Sequence, residues 1–334
     1  MLQTVWTDEG IVLREVEPPP LQPGWVRLRV HACGICGSDL HGLKHHGPMR
    51  TGGTPGHELV GTVLEANEAS LPDERYAVEP WLACRRCDYC LQGRSEHCRN
   101  ARLVGAMIPG GMAEFLDVPA SNLHPVSASL SDVQASITEP FAVCTRAIHL
   151  ADLKLDTRVL VLGAGSLGLI SGLLARDFCE QVAISTRYPH QAEAARTLGL
   201  QPVGENEVVE FAQEFEPDAV IETVGGTANT MEQATACCRP GGRIVVLGLF
   251  SIAPPLDMRA LVHKELRITG SKVFGMSEHG AEFRASTKIL PRYRDELKVL
   301  QTHQFPLSRV ADAFATAVSK DARPIKVTVI AREG

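Results

Sequence analysis

No long apolar run, no basic stripe and no internal repeat occurs in the 334 residues, and each absence removes a class of function. A nucleic-acid partner needs clustered Lys and Arg to meet its phosphates, whereas the formal net charge here is −6. No nucleic-acid partner is therefore expected. The most apolar stretch, Val159 to Ala175, is broken by glycines and too short to cross a bilayer comfortably, so no membrane partner is expected either. The opening residues Met1 to Asp8 lack the basic and apolar regions of a signal peptide. Low-complexity sequence is confined to the short turn Pro18–Pro20.

What is present suits an ordinary soluble globular chain, with 44% hydrophobic and 22% charged residues and enough length for about two domains. The first third is β-rich and loop-rich. Val26, Leu28 and Val30 alternate with Arg27 and Arg29, which predicts a half-buried strand over Trp25–His31. Glu58–Ala66, Arg75–Pro80 and Gly111–Val118 read as further strands. Ser131 reads as the N-cap of a long helical stretch reaching Leu153. Beyond it strands and helices alternate: strand Arg158–Leu162, helix Ser166–Phe178, strand Gln181–Ser185, a helix opened by Pro189, then Asp218–Glu222 and Arg243–Leu249 as strands. That rhythm predicts a doubly wound parallel sheet. A helix at Leu307–Ser319 and a strand at Ile325–Ala331 close the chain.

Four of the ten cysteines lie in one short run, Cys84, Cys87, Cys90 and Cys98. Thiolates this close cannot all pair as disulfides without strain, but they can close a tetrahedral shell around one Zn²⁺, with no position left for chemistry. A second, mixed constellation precedes them: Cys36-Gly-Ser38-Asp39-Leu-His41, then Gly56-His57-Glu58. Cys36, His57 and a carboxylate make the N/S/O set of a zinc that keeps one position open. Glu58 either ligates or stands just behind; Glu139, in Thr138-Glu139-Pro140, is the other candidate carboxylate. Oxidation would destroy these thiolate ligands, so a reducing compartment and a cytoplasmic protein are expected. Cys144, Cys179, Cys237 and Cys238 are expected to pack as small apolar residues, and His45 and His46 to be solvated loop residues.

Gly163-Ala-Gly165-Ser166-Leu167-Gly168 follows a strand and opens a helix. In that context the first glycine permits a tight turn, the second lets backbone approach a pyrophosphate, and the third lets helix pack on strand. The helix N-terminus then offers N–H groups to the phosphates. About 20 residues on, where an NAD site places a carboxylate for the ribose, stand Thr186 and Arg187. A neutral residue beside a guanidinium suits a 2′-phosphate, so NADP(H) is expected to be preferred over NAD(H).

Taken together, Gly34-Ile-Cys-Gly-Ser-Asp-Leu-His41, Gly56-His-Glu58, the four-cysteine loop, Gly110-Gly-Met-Ala-Glu-Phe115, Glu139-Pro140 and the glycine fingerprint resemble the zinc-containing medium-chain dehydrogenase/reductase family. That family includes alcohol, sorbitol and other polyol dehydrogenases, and the resemblance spans nearly the whole chain. It implies an α/β fold. A GroES-like, β-rich catalytic domain would cover residues 1–143 and 291–334, and a Rossmann doubly wound parallel-sheet domain residues 144–290. It implies two zinc ions per chain, with Cys36, His57 and either Glu58 or Glu139 at the catalytic one. Asp39 would orient His57, while Ser38 and His41 would carry the alcohol proton outward. The implied reaction is reversible hydride transfer between a small-molecule alcohol, or its carbonyl, and the nicotinamide cofactor, by a homodimer or homotetramer. Many polyol dehydrogenases carry an arginine near Gly270–Phe274; none can be placed within that segment, where Lys272 would have to substitute. Two rival readings are a zinc-dependent reductase of a specialised biosynthetic carbonyl or imine, which would share every motif, and a non-enzymatic zinc protein. The latter would leave the glycine fingerprint and the Cys36/His57 pair without a role.

Overall fold

The alternation of apolar and basic residues after Trp25 becomes the middle strand of a sheet. In a computed structural model that describes residues 1–40, 52–68, 71–278 and 280–331, Val26, Leu28 and Val30 are fully buried on the strand Trp25–Gly34. His41, His45 and His46 lie outside the described residues. The strand pairs antiparallel with Glu58–Ala66, Phe115–Pro119 and Lys326–Ile330. Lys326–Ile330 in turn runs parallel to Gln301–Pro306. Seven strands thus share one sheet, and Leu59, Tyr76, Met112, Val118, Phe314 and Val329 fill the core on it.

A second sheet holds six strands, all parallel, in the order Gln201–Gly204, Gln181–Thr186, Arg158–Leu162, Ala219–Glu222, Arg243–Val246, Arg267–Gly270. The winding direction reverses between Arg158–Leu162 and Ala219–Glu222, and ligands of such sheets bind at that reversal, beyond the carboxyl ends of the strands. Near-continuous apolar runs such as Val159 to Leu162, all fully buried, are what a strand covered on both faces requires.

The chain divides into two units, Met1–Glu139 with Glu278–Gly334, and Pro140–Ser277. The second boundary falls ahead of residue 291 because the helix Glu282–Ile289 belongs with the first unit. Its buried Phe283 meets the His124 ring at 5.0 Å between centroids.

Most differences from the expected elements are of a few residues at their ends, as where the strand Arg243–Val246 stops short of Leu249 and the helix Ser166–Ala175 short of Phe178; two bear on the site. The stretch from Ser131 to Leu153 is two helices, Asp132–Ala135 and Thr138–Ala151. Pro140 has no N–H for the Ser136 carbonyl and its ring would clash there, so the chain must restart just before it. The Ser136 and Thr138 hydroxyls donate to the Val133 and Ala135 carbonyls across the break, at 2.9 and 2.7 Å. The strand expected from Gly111 begins only at Phe115. Residues 110–112 instead donate their N–H groups to the carbonyls of Thr54, Gly56 and Pro55 at 2.8–3.1 Å, bracketing the loop that carries His57.

The first of the two helices is pinned to the sheet by Asp132, which takes Arg75 Nη1 at 2.7 Å and faces His31 Nδ1 at 3.2 Å. The His31 imidazole and the Arg75 guanidinium, acting against burial, hold the Asp132 pKa at about 2. A depressed carboxylate contributes its full stability above the unfolded value near 4 and loses it as pH falls toward the folded one. Asp132→Asn is expected to lower unfolding free energy at neutral pH by roughly 1 kcal/mol, a figure discounted for solvent screening of a carboxylate more than a third exposed. Urea midpoints should show the gap to wild type narrowing below about pH 4. A gap independent of pH would show that the charge contributes nothing.

Candidate active site

The four-cysteine loop wraps the short helix Asp88–Leu91. Cys87 Sγ lies 3.6 Å from Cys90 Sγ and 3.9 Å from Cys98 Sγ, and all four sulfurs lie within 4.8 Å of one another. A disulfide would need about 2.05 Å. Four sulfurs about 2.3 Å from a central Zn²⁺ would stand about 3.8 Å apart, which is what the loop presents. Backbone N–H groups prepare the site for negative charge: that of Arg86 leads in pulling the Cys84 thiol down to about 6, and those of Cys90 and Arg99 lower Cys87. Cys90 goes the other way, pushed up to about 12 by burial first and then by its neighbouring thiols. A thiol in that setting gives up its proton when a cation takes its place. The loop fits a closed structural zinc.

Cys36 precedes a helical turn over residues 37–40, and its N–H donates to Asp39 Oδ2 at 2.9 Å. That bond holds the fully buried Asp39 with its other oxygen 3.7 Å from His57 Nδ1; among the described residues neither of these two atoms has another partner. The Gly110–Met112 bracket fixes the backbone of His57, and Glu58 begins the following strand. One donor atom each of Cys36, His57 and Glu58 lies within 4.8 Å of the others. Burial opposes charge on His57, but Asp39, Cys36 and Glu139 outweigh it and hold the imidazole pKa well above its ordinary value. An environment that so strongly favours a proton there also favours a divalent cation in its place. The S, N and O donors with one position left fit an open zinc site.

Glu139 stands outside that mutually close set. It is buried on the first turn of the helix Thr138–Ala151, and burial first, then Glu58 and Asp39 nearby, push its carboxyl up to about 7 against the pull of His57 and Lys326. Ser38 is half-buried within the turn 37–40. Lys326, which no motif marks, lies beneath the site. Its Nζ donates to both Glu58 oxygens, at 2.8 and 2.7 Å, and to the Ile35 carbonyl at 3.2 Å, with both side chains of the pair buried. The Glu58 carboxylate is therefore held by a lysine on both of its oxygens. The hint in the chain is one lysine opening the otherwise uncharged strand Lys326–Ile330.

In the second unit, Gly163 takes φ +97° at the end of its strand and its N–H donates to Ser185 Oγ at 2.9 Å. A Cβ on Gly165 would meet nothing within 4 Å, so the space above it is open to a ligand, whereas one on Gly168 would collide with the Gly163 carbonyl. Gly165 caps the helix Ser166–Ala175, whose first turn, with Ser166 and Leu167 half-buried, points N–H groups into that space. The turn fits a pyrophosphate. Thr186, at the end of the next strand, is buried and its hydroxyl donates to the Val203 carbonyl at 3.2 Å. Exposed Arg187 donates through Nε to Glu205 Oε2 at 2.6 Å, a partner that sequence spacing does not suggest.

Similarity to known proteins accords with this geometry. The "Alcohol dehydrogenase GroES-like domain" family model matches residues 22–128, and the "Zinc-binding dehydrogenase" model matches residues 166–289. L-threonine 3-dehydrogenase of Rhizobium johnstonii is 31% identical over 78% of this chain and 79% of its own. The 2-dehydro-3-deoxy-L-galactonate 5-dehydrogenase of Pseudoalteromonas atlantica is 28% identical over 88% of both chains. A crystal structure of a zinc-binding dehydrogenase from Sinorhizobium meliloti bound to NADP is 28% identical; the match covers 99% of this chain and 100% of that one with a TM-score of 0.88. No helix among the described residues is long and apolar enough to cross a membrane. Sequence relatives, family models and solved structures converge: the chain belongs to the zinc-containing medium-chain dehydrogenase/reductase family, as an oxidoreductase of the zinc alcohol dehydrogenase type that uses zinc and a nicotinamide cofactor.

Proposed function

We propose that the chain catalyses reversible hydride transfer between a secondary alcohol or polyol and NADP(H), with one structural and one catalytic zinc. The observation that carries this is the trio Cys36, His57 and Glu58, held by a built scaffold in the unit that also holds a closed four-cysteine cluster. Relatives named as 5-dehydrogenase of a sugar acid and 3-dehydrogenase of threonine support an alcohol away from the chain end. Zinc at the mixed site would supply a Lewis acid that lowers the pKa of a bound oxygen. Cys36 and His57 would hold it, with Glu58 or Glu139 completing the set, and Asp39 would keep the imidazole oriented and basic. Ser38 Oγ would take the alcohol proton and pass it toward His41. Hydride transfer itself belongs to the cofactor, and the chain contributes binding and orientation. Metal analysis should return about two zinc ions per chain. A panel of secondary alcohols, polyols, sugars and their carbonyls, followed at the NADPH absorbance, tests the substrate class; no turnover with any of them would sink it.

Preference for NADP(H) rests on Thr186, which offers no carboxylate to the ribose, and on Arg187, which Glu205 holds in place. Arg187→Ala is expected to weaken NADPH binding by about 1.5–3 kcal/mol, the range for a hydrogen bond to a charged group, and to leave NADH binding nearly unchanged. A wild type that uses both cofactors equally would overturn the assignment. The gathering of five cysteines into two metal-ligand sets, which oxidation would destroy, supports a reducing, cytoplasmic setting. A homodimer or homotetramer is part of the same reading, and light scattering would test it.

A further inference from the structure

Beyond the glycine turn, the reversal point of the parallel sheet holds a buried carboxylate that no motif assigns. Glu222 ends the strand Ala219–Glu222 with no exposed surface. Its Oε1 accepts from Val224 N–H at 2.8 Å, Gly225 N–H at 2.9 Å and the Thr230 hydroxyl at 2.6 Å. These bonds fold the chain after the strand back on itself into a loop over residues 223–226. The loop in turn touches two others. Thr223 Oγ1 donates to the carbonyls of Leu162 and Gly163, at 2.8 and 3.2 Å, and the Val224 side chain covers the Gly163 Cα so closely that a Cβ there would lie 2.5 Å from it. On the other side the Glu222 carbonyl accepts from Leu247 N–H at 2.8 Å, and Gly226 N–H donates to the Leu249 carbonyl at 2.7 Å. Three segments at the carboxyl edge of the sheet, the glycine turn, residues 223–226 and residues 247–249, are therefore interlocked, and Glu222 holds the middle segment through that segment's own N–H groups.

The second carboxylate oxygen, Oε2, is buried without a partner and stands against Gly248, where a Cβ would collide both with it and with the Gly225 amide nitrogen. Only an unsubstituted Cα at residue 248 leaves room for this carboxylate. Burying a carboxyl group with three donors on one oxygen and none on the other is costly as a fold device alone. Its location, where a doubly wound sheet receives its ligand, points to a role in that ligand's site.

We propose that Glu222 is a positioning residue for the dinucleotide. It holds the 223–226 loop against the glycine turn, so that the pyrophosphate site is already shaped before the cofactor arrives. A rigid site avoids ordering the loop at the moment of binding, and the gain appears as cofactor affinity. The inference rests on the glycine turn being the cofactor site, and uses whichever of NADPH or NADH the wild type binds.

The test is calorimetric titration of that cofactor into zinc-loaded protein without substrate, with thermal melting alongside. Glu222→Ala leaves three donors without an acceptor and is expected to weaken cofactor binding roughly tenfold or more, the ratio set by losing one charge-assisted hydrogen bond's worth of order. Gly248→Ala, which leaves Glu222 in place but displaces its carboxylate, is expected to weaken binding to a similar degree. The double variant should be no worse than the weaker-binding single one, because both act through one carboxylate. Glu222→Gln keeps an accepting oxygen and should restore most of the affinity, and Thr230→Val, which removes one donor of three, should cost only a few-fold. If Glu222→Ala does not fold, the Gly248→Ala and Thr230→Val series carries the test. Unchanged cofactor affinity in the folded variants, with a fall in melting temperature only, would overturn the proposal and leave Glu222 a purely structural residue. A wild type that binds neither dinucleotide would instead overturn the cofactor reading itself.

Discussion

Serine in place of Cys36 is expected to reduce kcat by about 10³-fold or more, beyond the 10–100-fold that loss of a metal ligand's outer partner costs, while the protein stays folded. On the proposed function the two metal sites would do different work. Cys36 sits in a scaffold that the chain's own bonds hold: Asp39 holds the Cys36 N–H, and residues 110–112 hold the His57 loop through backbone bonds. Removing one sulfur from that scaffold removes chemistry and little fold. The four-cysteine loop is the opposite case. Its own regular structure is the four-residue helix Asp88–Leu91 and the 3-10 turn Ser95–His97, so energy of binding zinc there would be energy of folding the loop. Cys90→Ser should therefore lower the melting temperature and the soluble yield, with little change in kcat for the protein that survives. Zinc analysis should find about one ion fewer in each variant. Equal losses of fold in the two variants would show that the sites do not divide the work in this way.

Lys326→Met is expected to destabilise the protein by about 3–5 kcal/mol, because it leaves the Glu58 carboxylate buried without its cation. The pair is enclosed, with 2% and 1% of the two side chains exposed, and both Glu58 oxygens take the same ammonium. Burying two charges together contributes little net stability, but removing one leaves the other's desolvation uncompensated. The double variant Lys326→Met, Glu58→Gln should accordingly recover most of the loss, and Lys326→Arg should be intermediate, since its fork must fit beneath the Ile35 carbonyl that the lysine also reaches. Urea unfolding of the zinc-loaded protein reads all three. A single variant as stable as wild type would show that the metal alone neutralises Glu58.

The residues that were legible in the chain are those whose partners are near in sequence. The four cysteines announce themselves by spacing, the glycine turn by its strand before and helix after, and Cys36 with Asp39 by three residues of separation. The parallel sheet follows from the strand–helix rhythm, and its strands Arg158–Leu162 and Gln181–Thr186 fall where periodicity places them, the second one residue longer than the expected Gln181–Ser185. What escapes is pairing set by tertiary structure. Lys326 meets Glu58 across 268 residues, and neither has a neighbour that implies the other. Glu205 reaches Arg187 only because parallel strands place Gly204 beside Thr186. Glu222 reads as the last residue of a strand, and nothing local shows that its side chain turns inward to hold a loop. The broken helix after Ser131 is a milder case: Pro140 was visible, but apolar periodicity runs through it and hides the restart.

The division of the first unit between Met1–Glu139 and Glu278–Gly334 has a consequence for how the molecule comes into being on the ribosome. The parallel-sheet unit is one uninterrupted stretch and can close its core as soon as it has emerged. The zinc-bearing sheet cannot. Its middle strand, Trp25–Gly34, waits for Lys326–Ile330 to pair along one side, with Thr328 opposite Gly34, and Gln301–Pro306 joins that sheet only through the same late strand. Throughout synthesis Glu58 has no ammonium to meet, and the thiols of Cys36 and the four-cysteine loop are made long before the unit around them can be completed. The interval before the final strand arrives is when these sulfurs are least enclosed, and so when oxidation or a competing metal would reach them most easily.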